Sequence, residues 1–182
     1  MAARRKKPRS QYHHGDLRSA LVATAWEVVA RDGVEGLSLR AVAEVLGVSH
    51  AAPSHHFRDK ASLLAAVRLE AWERFADRLE AQAHLGLRAT GRAYVAFARA
   101  HPRQIELMFG PGGPTPHAER AWNVLRSGVK ASAGAKAAAA DLEAFAAAAW
   151  ATVHGLATLP LPANQWQLER VLDVVEAGIT HA

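Results

Sequence analysis

Apolar residues recur along this chain at intervals of three and four, and no stretch alternates with period two. The first spacing lays a stripe along one face of a helix, whereas alternation would have marked a half-buried strand. Leu17, Leu21, Ala25 and Val28 make one such stripe, with Val22, Trp26 and Val29 beside it, so a helix is expected from about Asp16 to Asp32-Gly33. Leu39, Val42, Ala43 and Leu46 stand at i, i+3, i+4 and i+7 of a second, short helix. Ser38 precedes it, where a side-chain oxygen can accept the free N–H groups of the first turn. Gly47 follows it, at the place where helices stop in the left-handed conformation. Ser49 offers the cap of a third helix reaching about Phe57. Pro53 falls in its first turn, where a missing N–H removes at most one early hydrogen bond, so a slightly distorted but retained helix is expected. Two short helices joined by a tight glycine-containing turn form a helix-turn-helix.

Asp59 caps a longer fourth helix over residues 60–84, with Leu64, Val67, Ala71, Phe75 and Leu79 as its buried stripe. Gly86, His101-Pro102, the GPGGPTP run at 110–116 and Pro160-Leu161-Pro162 then punctuate the chain. Between them helices are expected over 88–100, 103–109, 117–132, 135–159 and 164–180. Leu142, Phe145, Ala146, Ala149, Val153 and Leu156 lie along one side of the eighth, and Leu168, Val171, Leu172, Val175 and Ile179 along the ninth. The fold class is all-α, with about nine helices. Three form an N-terminal domain with the helix-turn-helix, and the rest a C-terminal helical domain. The expected division is a disordered basic arm at 1–11, the helix-turn-helix domain at 12–60 and the second domain at 61–182.

Charge points to the partner. Residues 1–60 carry 10 Lys and Arg against 6 acids, while residues 61–182 carry 12 against 11. The excess positive charge therefore travels with the helix-turn-helix, and a polyanion is implied, nucleic acid before an anionic membrane surface. No apolar run approaches the ~18–20 residues a membrane span needs, so no membrane partner is expected. The absence of cysteine excludes disulfides and fits a cytoplasmic home.

Between Ser49 and Phe57 the exposed positions of the third helix, His50, Ala51, Ser54 and His55, are small or hydrogen-bonding. A helix of this kind can approach a groove closely. It carries no Arg, Lys, Asn or Gln, so the usual bidentate pairs to guanine and adenine are unavailable, and imidazoles, hydroxyls and alanine methyls must do the reading. Residues 16–70 resemble the DNA-binding domain of TetR-type (tetracycline-repressor-like) transcriptional regulators. The matching features are the long first helix, Leu37-Ser38-Leu39-Arg40-Ala41-Val42-Ala43, the Gly47-Val48-Ser49 turn, and His56-Phe57 followed by Asp59-Lys60 and Leu63-Leu64. Trp150-Ala151-Thr152-Val153-His154-Gly155 is similar to the Trp…His-Gly motif of one class of ligand-binding domains in that family, as is His101-Pro102 leading to Met108-Phe109.

The resemblance implies roles: an N-terminal DNA-binding domain and a C-terminal ligand-binding and dimerisation domain. Ser38 and Arg40 would meet phosphate, and Ser49, His50, Ala51, Ala52, Ser54 and His55 would face the groove. Lys60 would hold backbone phosphate, and the arm residues Arg4, Arg5, Lys6 and Lys7 would reach the neighbouring groove. The chain departs from the pattern at Pro53 and at Ser54, where most members have a tyrosine whose hydroxyl reaches farther. A homodimer is implied, its two reading elements ~34 Å apart on a palindromic operator. So is an effector, a small molecule that releases a repressor from DNA. Candidate effector contacts are Trp72, Phe75, Phe97, Met108, Phe109, Trp122, Trp150 and His154, the last because an imidazole among Ala and Val must find a partner. Arg92 or Arg126 would suit an acidic ligand if turned inward.

Two other readings compete. A constitutive or architectural DNA-binding protein would lack an effector, and no small molecule would release it. A metal-dependent enzyme would need the ten histidines to cluster, yet His13-His14 and His55-His56 are sequential pairs that point apart on a helix, and no ligand spacing appears. No catalytic residue, metal or cofactor is expected.

Overall fold

The computed structural model describes residues 14–133, 138–159 and 165–181. The basic arm therefore lies outside the described residues. Among them there are eight α-helices and no strand. The chain divides into two compact units, one ending at Val67 and the other beginning at Arg68.

In the first unit, α1 (His14–Gly36) is kinked at Gly33, whose φ of 75° and ψ of −179° end the main helix where the Asp32-Gly33 pair predicts and leave one further turn. Its inward face is Leu21, Val22, Ala25, Trp26, Val28 and Val29, all buried. The next helix, α2 (Leu39–Leu46), packs on α1 through Val42 and Ala43. Ser38 Oγ accepts the Ala41 N–H at 3.0 Å, and the Gly47 N–H closes the other end onto the carbonyls of Ala43 and Glu44. Gly47 sits at φ 74° with open space around a would-be Cβ. Gly47→Ala is therefore expected to cost about 1 kcal/mol from backbone strain alone, read as a shift in urea midpoint. A neutral substitution would mean that the turn relaxes.

The third predicted helix does not form. Residues 50–52 make a turn and Pro53–His55 a single turn of 3-10 helix. The Ser49 carbonyl accepts from Ala52 at 2.9 Å, because Pro53, four residues on, has no N–H to offer. The His56 and Phe57 N–H groups both bond the Pro53 carbonyl, at 2.9 and 2.8 Å. The expected retained helix is thus corrected to one 3-10 turn, and the count of nine to eight α-helices among the described residues. Phe57 ends the segment in the core, with the Arg18 guanidinium 5.2 Å over its ring.

The following helix, α3 (Lys60–Ala83), starts at an Asp59 cap, and the division between units falls within it. The Ser62 N–H donates to Asp59 Oδ1 at 2.8 Å, and the Asp59 N–H donates to Ser62 Oγ at 3.1 Å. The first of these holds the Asp59 carboxyl below its ordinary range, with Arg58 adding to it. Its stripe begins at Leu63, fully buried, rather than at half-buried Leu64. The second unit completes the chain with α4 (Leu87–Ala100), α5 (Pro102–Phe109), α6 (Pro116–Ser132), α7 (Ala139–Thr158) and α8 (Gln165–Thr180). Among these α4 is central, packing against α5, α6, α7 and α8. No helix among the described residues is long and apolar enough to cross a membrane.

Candidate functional site

The groups expected to meet DNA stay at the surface of the first unit. Ser38, Arg40, Ser49, His50, Ala51, Ser54 and His55 are all exposed, and Ala52 and Lys60 are partly so. The 3-10 turn buries Pro53 and leaves its neighbours outward. Ser54 Oγ turns back to donate to the Ala51 carbonyl at 2.7 Å, and Lys60 Nζ reaches the Glu35 carbonyl at 3.4 Å. Arg40 has no hydrogen-bond or ion-pair partner among the described residues. Arg18, which the sequence reading did not single out, adds an exposed cation fixed by its stacking on Phe57. Arg4, Arg5, Lys6 and Lys7 lie outside the described residues.

The second unit holds a partly open cavity of about 80 Å³ walled by α3, α4, α5, α6, α7 and α8. Five of the expected contacts line it: Trp72, Phe75, Phe109, Trp122 and Trp150. Trp72 donates its indole N–H to the Met108 carbonyl at 3.3 Å, so its ring is locked edge-on to Phe75 and Phe109. Met108 itself is fully buried outside the cavity wall, and Phe97 packs on Phe75 and His101 behind it. The cavity's own stripe on α4 is Leu87, Thr90, Gly91 and Tyr94. Gly91 lets α8 close in, since a Cβ there would lie 2.7 Å from Leu172 Cδ2.

His154 stands next to the cavity rather than in its wall. It stacks on Trp150 with centroids 5.2 Å apart, meets Phe109 edge-on at 4.6 Å, and its Nδ1 lies 2.7 Å from the Tyr94 hydroxyl. Tyr94 is the protein partner that the lone imidazole required. Burial pushes the Tyr94 hydroxyl well above its ordinary range, with a hydrogen bond from Trp150 pulling the other way. Arg92 and Arg126 do not turn inward: they pair with Glu169 at 2.9 Å and Glu143 at 2.7 Å.

A family model described as the tetracyclin repressor-like, C-terminal domain matches residues 87–179, more than half of the chain. A second, described as bacterial regulatory proteins, tetR family, matches residues 21–67. The chain belongs to the TetR family. No curated protein matches it. Among solved structures it is similar to a protein of unknown function from Rhodococcus sp. RHA1, at 31% identity over 93% of this chain and 98% of that one, with a TM-score of 0.75. It is similar in fold to SCO7222, a TetR transcriptional regulator from Streptomyces coelicolor, at 21% identity over 90% of this chain and 97% of that one (TM-score 0.67). The same holds for BioQ, solved with its double-stranded DNA operator, at 23% identity over 91% and 98% (TM-score 0.64).

As a TetR-family member the chain is a DNA-binding transcriptional regulator, and its two units correspond to the two matched models. The environment of His154 then carries a measurable consequence. Burial lowers its pKa below the unfolded value of ~6.5. A depressed histidine pKa means that the unfolded chain binds more protons, so stability is fully present above that value and is lost as pH falls through the folded one. The urea midpoint of the second unit is expected to decline from about pH 7.5 to about pH 5.5, and less steeply in His154→Gln. Identical slopes in the two proteins would show the imidazole to be uncoupled from folding.

Proposed function

We propose that this TetR-family regulator acts as a homodimeric repressor that a small molecule, bound in the second unit, releases from a palindromic operator. The observation that carries this reading is the aromatic-walled cavity in the second unit. Pockets of this apolar kind, with few polar groups, are where small ligands bind. A second copy is supported by the outward face of α7 and α8, where Ala144, Ala147, Ala148, Ala151, Val174, Ala177 and Gly178 are exposed. Val174 at 71% exposure is a large apolar side chain that another apolar face would cover. The switch is linkage. A ligand that binds one domain arrangement better draws the dimer away from the spacing that fits both half-sites.

The test pairs two titrations. Compounds that raise the unfolding midpoint of the second unit are selected, and operator binding is then followed by fluorescence anisotropy as each is added. Release in proportion to occupancy supports repression with an effector. Unchanged operator affinity at saturating compound would instead favour a constitutive DNA-binding protein.

A further inference from the structure

Six side chains able to hydrogen-bond line the cavity: Trp72, Arg88, Thr90, Tyr94, Trp122 and Trp150. Five of them are already engaged. Trp72 gives its indole N–H to the Met108 carbonyl at 3.3 Å, and Thr90 Oγ1 donates to the Gly86 carbonyl at 3.2 Å. Trp150 donates to the Tyr94 hydroxyl, which lies 2.7 Å from His154 Nδ1. Arg88 commits its guanidinium tip to α8, with Nη2 3.1 Å from Glu169 Oε2 and Nη1 2.8 Å from Asp173 Oδ1, and its Nε is buried. Arg92 shares Glu169 at 2.9 Å, so two cations face two carboxylates and the cluster beside the cavity is balanced. Trp122 is left, a ring packed on the Leu87, Val129, Ala146 and Ile179 cluster, with an indole that can donate but not accept. Every other side chain of the wall is phenylalanine, leucine, valine or alanine, with Gly91 among them.

We propose that the cavity binds a small, uncharged, hydrocarbon-like molecule and discriminates against polar isosteres of the same shape, because its wall has its hydrogen-bonding groups already satisfied by the protein. A hydrocarbon gains by leaving water and loses nothing to the wall. An ether, hydroxyl or amide leaves its water partners and finds no replacement, which is the costly case of polar burial. An ion fares worse. The Arg88, Arg92, Glu169 and Asp173 cluster is balanced, so neither sign of charge meets an unpaired opposite one, and the desolvation penalty stands alone. Size limits the ligand further. The cavity, at about 80 Å³, is roughly half of the ~150 Å³ that holds a benzene ring in an engineered apolar core. Small residues set that space: Ala121 and Ala149 are buried in the wall, and Gly91 admits Leu172.

This inference rests on the cavity being the effector site, and binding measured without DNA separates the two. The probes are three five-membered rings of one shape: cyclopentane, tetrahydrofuran, in which an ether oxygen replaces one methylene, and pyrrolidinium, in which a charged nitrogen does. Each is titrated into the whole chain at neutral pH and followed by 1H–15N NMR. Cyclopentane is expected to bind about tenfold or more tighter than tetrahydrofuran, the cost of one buried acceptor without a donor. Pyrrolidinium is expected to bind weakest. The indole N–H resonances of Trp72, Trp122 and Trp150 should move with cyclopentane, and that of Trp26, in the first unit, should not. Ala149→Leu fills part of the void and is expected to weaken cyclopentane about tenfold or more. Should that variant not fold, the indole shifts of the unaltered chain still locate the site. Tetrahydrofuran within about threefold of cyclopentane would show that a donor such as Trp122 is open to the ligand, and overturns the proposal. So does a preference for pyrrolidinium, the absence of cyclopentane binding, or shifts that miss the three cavity indoles. If cyclopentane binds as expected yet operator affinity stays constant, the ligand site stands and the effector reading falls.

Discussion

Phe75→Ala is expected to destabilise the second unit by about 3–5 kcal/mol, the range of large aromatic truncations in protein cores. Phe75 is 2% exposed and touches three other rings edge-on: Trp72 at 5.8 Å, Tyr94 at 5.0 Å and Phe97 at 5.3 Å. Each such pair adds about 0.5–1.5 kcal/mol beyond the area it buries. Where the ring sits decides the upper half of the range. Phe75 is part of the wall of an existing void, so its removal enlarges that void, and the neighbours cannot simply collapse to fill it. Trp72 is pinned by its bond to the Met108 carbonyl, and Tyr94 by its bond to His154. Cost rises with the residual cavity. Against a total stability of about 5–15 kcal/mol, the loss would bring the variant close to unfolding, and urea denaturation measures it directly. A cost below about 1.5 kcal/mol would mean that the pocket wall is plastic. Small apolar solutes should recover part of the loss by filling the enlarged void, through mass action on the folded state.

The helices were legible because their causes are local. Ser38 and Gly47 bracket α2 with one oxygen and one left-handed residue, and both are visible in the sequence as such. The breakers Gly86, His101-Pro102 and 110–116 separate α3, α4, α5 and α6 for equally local reasons. The segment at 49–57 was misjudged on a matter of scale. One lost hydrogen bond is minor in a helix of twenty residues but not in one of eight, where nucleation dominates the balance. With Pro53 unable to donate, the Ser49 carbonyl takes the nearer Ala52 N–H, and the chain continues in the tighter form.

The cavity was half legible. Aromatic residues could be counted, but which of them face one void depends on how six helices are rotated against one another. Tyr94 and Phe97 are three residues apart on α4, and only the first lines the cavity. The signal that could have marked that face is Leu87, Thr90, Gly91 and Tyr94, an i, i+3, i+4, i+7 set with a glycine inside a helix. Glycine there gives up helix propensity, and its return is the approach of Leu172.

Deleting residues 1–9 is expected to cut operator affinity by about two orders of magnitude or more at 0.2 M salt and to flatten its salt dependence. The argument starts from what the face at 49–57 lacks. It has a single 3-10 turn in place of a helix, no side chain capable of a bidentate base contact, and a Ser54 hydroxyl bonded to its own backbone. The cations nearby are few: Arg18, Arg40 and Arg58 are exposed and Lys60 partly so, and Arg58 is paired with Asp59 at 3.0 Å. The arm sequence brings Arg4, Arg5, Lys6, Lys7 and Arg9 with no acid among them. Each phosphate neutralised contributes about 0.9 to the slope of log affinity against log salt. If all five engage, the slope falls by about 4.5, and a fourfold rise in salt costs the intact protein several hundredfold more than the deletion. Anisotropy titrations on one operator from 50 to 200 mM salt read both quantities. An unchanged slope would mean that the arm makes no phosphate contact, and affinity would then have to come from the 3-10 turn and the cations around it. A reduced slope with discrimination between operator and random DNA intact would divide the labour cleanly: the arm holds the duplex, and the small exposed groups at 49–55, together with DNA shape, choose the site.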